Sequence, residues 1–282
     1  MKALIGGSPC THWSIAQTKN RETEASGVGW ELFLNYRIAR DKYQPDYFLY
    51  ENNKSMSPAI RAQITAELGV EPVRVGVVES ATAETAHDVS KQYRVYSSDA
   101  KGTALCGNGG GAGAKTGLYA VPVPAPAGEK QVPVYEVRGG RISIKGKTYP
   151  IKLADGFYII RKLTVTECKR LQTVPDAYEF PVSNTQAYKM LGNGWTVDVI
   201  AHIMSHFTGL TEEPAEVLSM YDGMSCGHIA LDKLGVAVSA YYATEIDKYA
   251  IQTTQHNFPD TVQLGDAFQV RDEGWRLPEV LA

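Results

Sequence analysis

Two stretches of alternating strand and helix pattern, one toward each end of the chain and parted by a long segment with neither, limit what this sequence can fold into. Residues 3–7 (ALIGG) form a short apolar run closed by glycines, which predicts a strand running into a loop. Trp30 to Asp41 carries helical spacing, with Leu34 and Ile38 among its apolar positions. Tyr47–Tyr50, introduced by Pro45, predicts a buried strand. Pro58 to Leu68 predicts a helix, with proline in the first turn and Gly69 just past the end. Toward the C-terminus a helix is expected over Gly194–Phe207, followed by strand Val217–Tyr221, helix Cys226–Leu234 stopped by Gly235, strand Val238–Thr244, helix Ile246–His256 and strand Thr261–Leu264. Such alternation is the mark of a parallel sheet covered by helices.

The middle of the chain reads differently. Residues 90–160 are rich in Gly, Pro, Tyr and Val, and include NGGGAGAKTG (108–117) and a proline-rich stretch, VPVPAPAG (121–128). Val134–Val137 and Arg141–Ile144 flank Gly139-Gly140, the pattern of a β-hairpin. Thr164 to Gln172 then predicts a helix that starts on a capping box. The expected organisation is a first half of an α/β domain at 1–90, an inserted, smaller, mostly-β lobe at 91–160, and the remainder of the α/β domain at 161–282.

Charge follows the same division. The net charge is only −3, yet Lys91 to Lys162 holds 12 Lys/Arg against 4 Asp/Glu, and Thr211 to the end holds 4 against 12. A basic lobe suits phosphates; chance scatter of surface charge is the competing explanation. With 44% hydrophobic and 21% charged residues the composition is that of a globular protein. No apolar run reaches the roughly 18 residues that would span a membrane. The N-terminal apolar stretch is too short for a signal peptide, so the expected location is cytoplasmic. The four cysteines lie far apart with no CxxC pair, and the six histidines show no ligand spacing, so neither a disulfide framework nor a metal site is expected.

Two constellations carry chemistry. VLSMYDGMSCG (217–227) reads as strand, glycine-bearing turn and helix, with Tyr221, Asp222, Gly223, Met224, Ser225 and Gly227 shaping a place where backbone can approach a ligand. Glu245, beside Ile246, ends the next strand, where a carboxylate can take ribose hydroxyls, and Asp266 ends the one after, where it can meet an adenine amino group. A nucleotide-type cofactor fits these features, and on them alone NAD stays open. The second constellation is GGSPC (6–10), which puts Cys10 on a loop held by Pro9, together with LYENN (49–53), which puts Glu51 at the following strand end. If the strands are neighbours, a thiol and a carboxylate face one pocket, the set needed to activate a cytosine ring. A packed thiol and a surface acid would leave the same trace.

At these residues the sequence resembles the DNA (cytosine-5) methyltransferases, in particular a compact phage and prophage type. GGSPC resembles their Pro-Cys nucleophile block, ENN their Glu-Asn-Val block, SMYDGMSCG the methionine-cofactor loop, ATEID (243–247) the ribose block and LGD (264–266) the adenine block. Residues 161–178 resemble the penultimate block, and SNTQAYKMLGNGWTVDVIAHI (183–203) the last, whose Asn193 and Gly194 close over the cofactor. The resemblance implies a Rossmann-like S-adenosylmethionine-dependent methyltransferase sheet with an inserted, mostly-β target-recognition lobe. It implies Cys10 as nucleophile, Glu51 as cytosine-binding acid, and Pro9 and Asn52 beside the flipped base. It implies S-adenosylmethionine as cofactor and a monomer acting on double-stranded DNA, in a restriction-modification setting where a cognate restriction endonuclease is a further candidate partner.

Two departures stand out. The blocks are circularly permuted, with Pro-Cys at residue 9 and the cofactor loop after the Gly-Asn block. The Gln-x-Arg-x-Arg block that normally follows the acid is not found between Gly69 and Lys91, and Arg94 is the nearest candidate for its base-holding arginine. The alternatives are a catalytically impaired relative that still binds cofactor and DNA, and an RNA cytosine-5 methyltransferase.

Overall fold

A computed structural model of the chain describes residues 1–14, 20–73, 94–99, 104–107, 113, 115–125, 132–144 and 146–278. Most of the glycine-rich stretch 108–117, and residues 74–91 of the interval between Gly69 and Lys91 that lacks the arginine block, lie outside the described residues. The chain packs as two compact units. One comprises Met1–Gly76, Tyr178–Pro181 and Trp195–Ala282, and the other Val77–Ala177 and Val182–Gly194.

The first unit opens with strand β1 (Lys2–Gly6), buried from Ala3 to Ile5, as a parallel strand covered on both faces must be. Helix α1 (Gly27–Tyr43) presents Phe33, Tyr36, Ala39 and Tyr43 to the sheet and stops at Gln44 in the left-handed region. Strand β2 (Tyr47–Tyr50) leads to helix α2 (Pro58–Leu68), whose local signals all act as read: the Ser57 side chain accepts from Ile60 N–H, Pro58 sits at the first position, and Gly69 ends it at φ 74°.

The second unit carries a six-stranded sheet of β3 (Val95–Ser97), β4 (Leu118–Val123), β5 (Tyr135–Arg138), β6 (Arg141–Ile144), β7 (Lys147–Pro150) and β8 (Gly156–Arg161). Its order is β3-β4-β8-β5-β6-β7, antiparallel except for β3 with β4. Val95, Ala120, Val137, Ile142, Ile151 and Tyr158 form its small core. Helix α3 (Val165–Leu171) begins on the expected capping box between Thr164 and Glu167, reinforced by Arg161 on the Glu167 carboxylate at 2.8 Å. Helix α4 (Asn184–Asn193) completes the unit.

The chain then returns to the first unit with helix α5 (Val197–Met204), β9 (Ala215–Met220), α6 (Cys226–Leu234), β10 (Val238–Thr244), α7 (Lys248–Asn257), β11 (Val262–Gly265) and α8 (Ala267–Asp272). The helix expected over Gly194–Phe207 is corrected: Gly194 and Thr196 are extended, and the region is α4, a break and the shorter α5. Residues 121–123, the start of the proline-rich stretch, lie in β4, where Pro122 stands opposite Tyr158.

All five strands of the first unit are parallel, in the order β11-β10-β9-β1-β2. Leu4, Phe33, Tyr36, Ile60, Leu218, Met220 and Tyr242 build one core across this sheet. The register is level at the strand ends. Gly6 pairs with both Tyr50 and Met220, and Thr244 pairs with both Met220 and Gly265. The chain moves outward in opposite directions from the adjacent strands β9 and β1, so the crevice beyond their carboxyl ends is a topological switch point, where open α/β sheets bind ligands. Among the described residues no helix is long and apolar enough to cross a membrane.

Candidate active site

Because the strands end level, the residues that follow them share one edge: Gly7, Glu51, Tyr221, Glu245 and Asp266. The first two are joined directly. Glu51 N–H donates to the Gly6 carbonyl at 3.0 Å, the Ser8 and Tyr50 hydroxyls lie 2.7 Å apart, and Asn52 Nδ2 donates to the Ser8 carbonyl at 2.9 Å. A Cβ on Gly7 would stand 2.2 Å from the Glu51 carbonyl oxygen and 3.4 Å from Oε2 of its carboxylate, so the loop that carries the cysteine brushes the acid.

Pro9 leads into a single 3-10 turn, Cys10–His12, closed by Trp13 and Ser14 N–H groups on the Cys10 carbonyl. Trp13, fully buried, anchors that turn. Its indole donates to Glu22 Oε2 at 3.2 Å, and Gly29 N–H donates to the same carboxylate. The Cys10 thiol itself is exposed, whereas Cys168 and Cys226 are buried and burial pushes each thiol up to about 12. A thiolate is the nucleophile in cysteine chemistry, so those two are inert fillers.

Glu51 lies where solvent reaches it while surrounding protein still pushes its carboxyl above the usual carboxylate range. Opposing that push is a hydrogen bond from Trp195 Nε1–H to Oε2 at 2.9 Å. The Trp195 peptide in turn hydrogen-bonds to the Cys226 side chain at the start of α6. Trp195 lies within the last block of the resemblance (183–203), but nothing in the sequence links it to Glu51, because the two stand 144 residues apart.

On the other side of the switch point, Gly223 adopts φ 61°, and nothing lies within 4 Å of where a Cβ would be. Its N–H donates to Glu245 Oε2 at 2.8 Å, and Glu245 Oε1 accepts from Ile246 N–H and Asp247 N–H at 2.7 and 2.8 Å. One strand end thus holds the turn of its neighbour. Asp222 faces inward: its carboxylate accepts from Ser219, Ser225 and, at 2.8 Å, Tyr241, while burial pushes it up to about 6. Met224 is buried and its carbonyl accepts from Tyr178 at 2.7 Å. A Cβ on Gly227 would stand 2.2 Å from Ile5 Cδ1, so this glycine lets α6 lie on β1. Tyr221, at φ 58°, donates to the Leu32 carbonyl, and Ser225, at φ 55°, stands at the start of α6 with its hydroxyl turned to Asp222 rather than to the helix N–H groups.

The side chains of Asp222 and Met224, with Gly227, therefore build the turn from within. Gly223, Glu245, Ile246 and Asp266 form its rim. Ile246 is 75% exposed, an apolar face with room for a flat ring, and Asp266 Oδ1 caps α8 through Phe268 N–H. An open glycine, a carboxylate and an exposed isoleucine fit a nucleoside-bearing cofactor. The remaining sequence candidates lie in the second unit. A Cβ on Gly107 would stand 1.6 Å from Asn193 Oδ1, the Gly194 carbonyl accepts from Gln172 at 3.2 Å, and the Arg94 carbonyl accepts from Leu118 N–H at 3.1 Å. No group of three His, Cys, Asp or Glu that could hold a metal occurs among the described residues.

A parallel sheet whose switch point joins an exposed thiol, a partly desolvated acid and a nucleoside-type turn defines a class of α/β group-transfer proteins. Residues 1–66 and 127–208, just over half of the chain, match the family described as C-5 cytosine-specific DNA methylase, and the chain belongs to that family. Members of it take their methyl group from S-adenosylmethionine. The chain is similar to DNA (cytosine-5)-methyltransferase DRM1A of Oryza sativa subsp. japonica, 28% identical over 95 residues, which is 34% of this chain and 20% of that protein. It is similar to Type II methyltransferase M.HhaI of Haemophilus parahaemolyticus, 34% identical over 74 residues, 25% of this chain and 23% of that one. It is also similar to Type II methyltransferase M.NlaX of Neisseria lactamica, 49% identical over 43 residues, 15% of this chain and 14% of that one. The matches thus span less than a quarter of the length of each of these relatives.

Proposed function

We propose that this chain methylates carbon 5 of cytosine in duplex DNA, with Cys10 as nucleophile and Glu51 as the acid that holds the base. The observation that carries the reading is the level register of β10, β9, β1 and β2, which brings Glu245, the Gly223 turn, the Cys10 loop and Glu51 to one edge. A ring atom of a stacked base is out of reach, so the cytosine must first be flipped from the duplex. The Cys10 thiolate then bonds to C6, and Glu51 donates its proton toward N3 as charge develops in the ring. Carbon 5, made nucleophilic, takes the methyl group; a base removes the C5 proton, and the S–C6 bond breaks to restore the ring. S-adenosylmethionine, when bound, supplies the electrophilic methyl. Glu245 is assigned to the ribose, Ile246 and Asp266 to the adenine, and Asn193 and Gly194 to closure over the cofactor.

Asn52, Ser8 and Tyr50 hold the cysteine loop against the acid, and Pro9 stiffens it. The basic ribbon of the second unit is assigned to phosphate contacts and base reading, with Arg94 as the base-holding arginine. A permuted block order fits a sheet whose N-terminal strand β1 lies beside the late strand β9. Transfer of labelled methyl from S-adenosylmethionine to duplex DNA, with Cys10→Ser as control, tests the whole reading. Incorporation that is lost in the variant is expected; incorporation that survives it removes Cys10 from the chemistry. A second reading, a relative that binds but does not turn over, draws on the missing arginine block. It predicts a gel shift of DNA with no incorporation by wild type.

A further inference from the structure

The two oxygens of the Glu51 carboxyl are not equivalent. Oε2 accepts the Trp195 indole N–H at 2.9 Å, and among the described residues no cation contributes to the surroundings of this acid. An indole nitrogen is a donor only. It can hold an acceptor oxygen, but it can neither take a proton from it nor share one with it. A proton on Glu51 is thereby directed to Oε1, while Oε2 keeps a second lone pair.

A cytosine edge asks for that arrangement, since N3 accepts a hydrogen bond and the 4-amino group donates one. We propose that Trp195 is a positioning residue that sorts the two oxygens of Glu51, making Oε1 the donor to N3 and Oε2 the acceptor from the 4-amino group. The Trp195 peptide is itself held at the Cys226 side chain, beside the Gly223 turn, so the sorting element is anchored to the cofactor edge. This inference rests on the reading of Glu51 as the cytosine-binding acid. It assigns to Trp195, two residues past Asn193, a role toward the acid rather than toward the cofactor.

The chain has four tryptophans, so a nitrogen-15 indole spectrum is small enough to assign with Trp195→Phe. The Trp195 N–H resonance is expected to move with pH as Glu51 titrates, and to stop moving in Glu51→Gln. Trp195→Phe keeps the ring and loses the donor. It is expected to lower kcat for methyl transfer about tenfold, to leave KM for DNA within about twofold, and to move the Glu51 limb of the pH profile upward. Trp195→His, which restores an N–H, should recover part of the loss. A resonance that ignores Glu51, or a Trp195→Phe enzyme with an unaltered pH profile, overturns the proposal. If wild type transfers no methyl group, the methylation reading fails, and the indole titration still decides whether Trp195 governs Glu51. Should Trp195→Phe fail to fold, the comparison of wild type with Glu51→Gln stands alone.

Discussion

At Gly7 an added methyl group would stand 2.2 Å from the Glu51 carbonyl oxygen, whereas at Gly223 it would meet nothing within 4 Å. The two glycines sit on the same sheet edge and serve opposite ends. Gly7 allows two backbone segments to touch, so Gly7→Ala must push the cysteine loop off the acid, an overpacking cost of about 1–3 kcal/mol. Urea unfolding is expected to show that loss, together with weaker methylation. Gly223→Ala carries only the penalty of a left-handed backbone, about 1 kcal/mol, but its methyl group would fill the open face of the turn. Calorimetric titration is expected to show a larger loss in S-adenosylmethionine affinity than in stability. Equal losses would mean that no ligand approaches that face. The placement of Cys10 and Glu51 beyond neighbouring strand ends was legible in the sequence, because the strand patterns at 3–7 and 47–50 are plain. Trp195 was not, since its partner lies 144 residues away and only the fold joins them.

Helix α6 carries a histidine with a calculable effect on stability. His228 lies between the rings of Tyr241, at 4.4 Å, and Phe258, at 3.9 Å, both nearly parallel to it. Its Nδ1 is buried and finds no partner among the described residues. Burial pushes its pKa down to about 4, so the folded protein holds it neutral while an unfolded chain protonates it near 6.5. The unfolded state binds more protons between those values. The His228 contribution is therefore whole above pH 6.5 and is lost as pH falls toward 4, by at most about 3 kcal/mol. His228→Leu should flatten the stability curve over that window in denaturant titrations, and an unchanged slope would refute the assignment. The helix itself was legible from its apolar spacing and the stop at Gly235. Helix α4 was not: its apolar positions Ala187, Met190 and Leu191 make a narrow stripe in a polar segment, although Ser183 caps it. Strand β8 escaped as well, because GFYIIR fits a buried strand and a helical segment equally.

The uneven charge along the chain was legible by counting, while the packing of residues 161–177 and 182–194 with the second unit was not, because that depends on which core each segment reaches. Arg138, Arg141, Lys147 and Lys152 are exposed along the β5–β6–β7 meander and beyond it. Arg138 and Arg141 lie directly opposite one another across the Gly139-Gly140 turn. Like charges so placed repel and cost stability in the free protein. A phosphate between them reverses the sign of that term, so the pair suits the DNA contact proposed for this unit. Each phosphate contact removed should reduce the slope of log affinity against log salt by about 0.9. Arg138→Ala with Arg141→Ala is therefore expected to lower that slope by about 2, measured by fluorescence anisotropy on a duplex across a salt series. The same variant should bind S-adenosylmethionine as wild type does, because the Gly223 turn belongs to the other unit with its own core. It should also unfold at slightly higher urea once the repulsion is gone. An unchanged salt slope would place the DNA elsewhere. A fall in cofactor affinity in step with DNA affinity would mean that the double substitution acts beyond the ribbon that carries it.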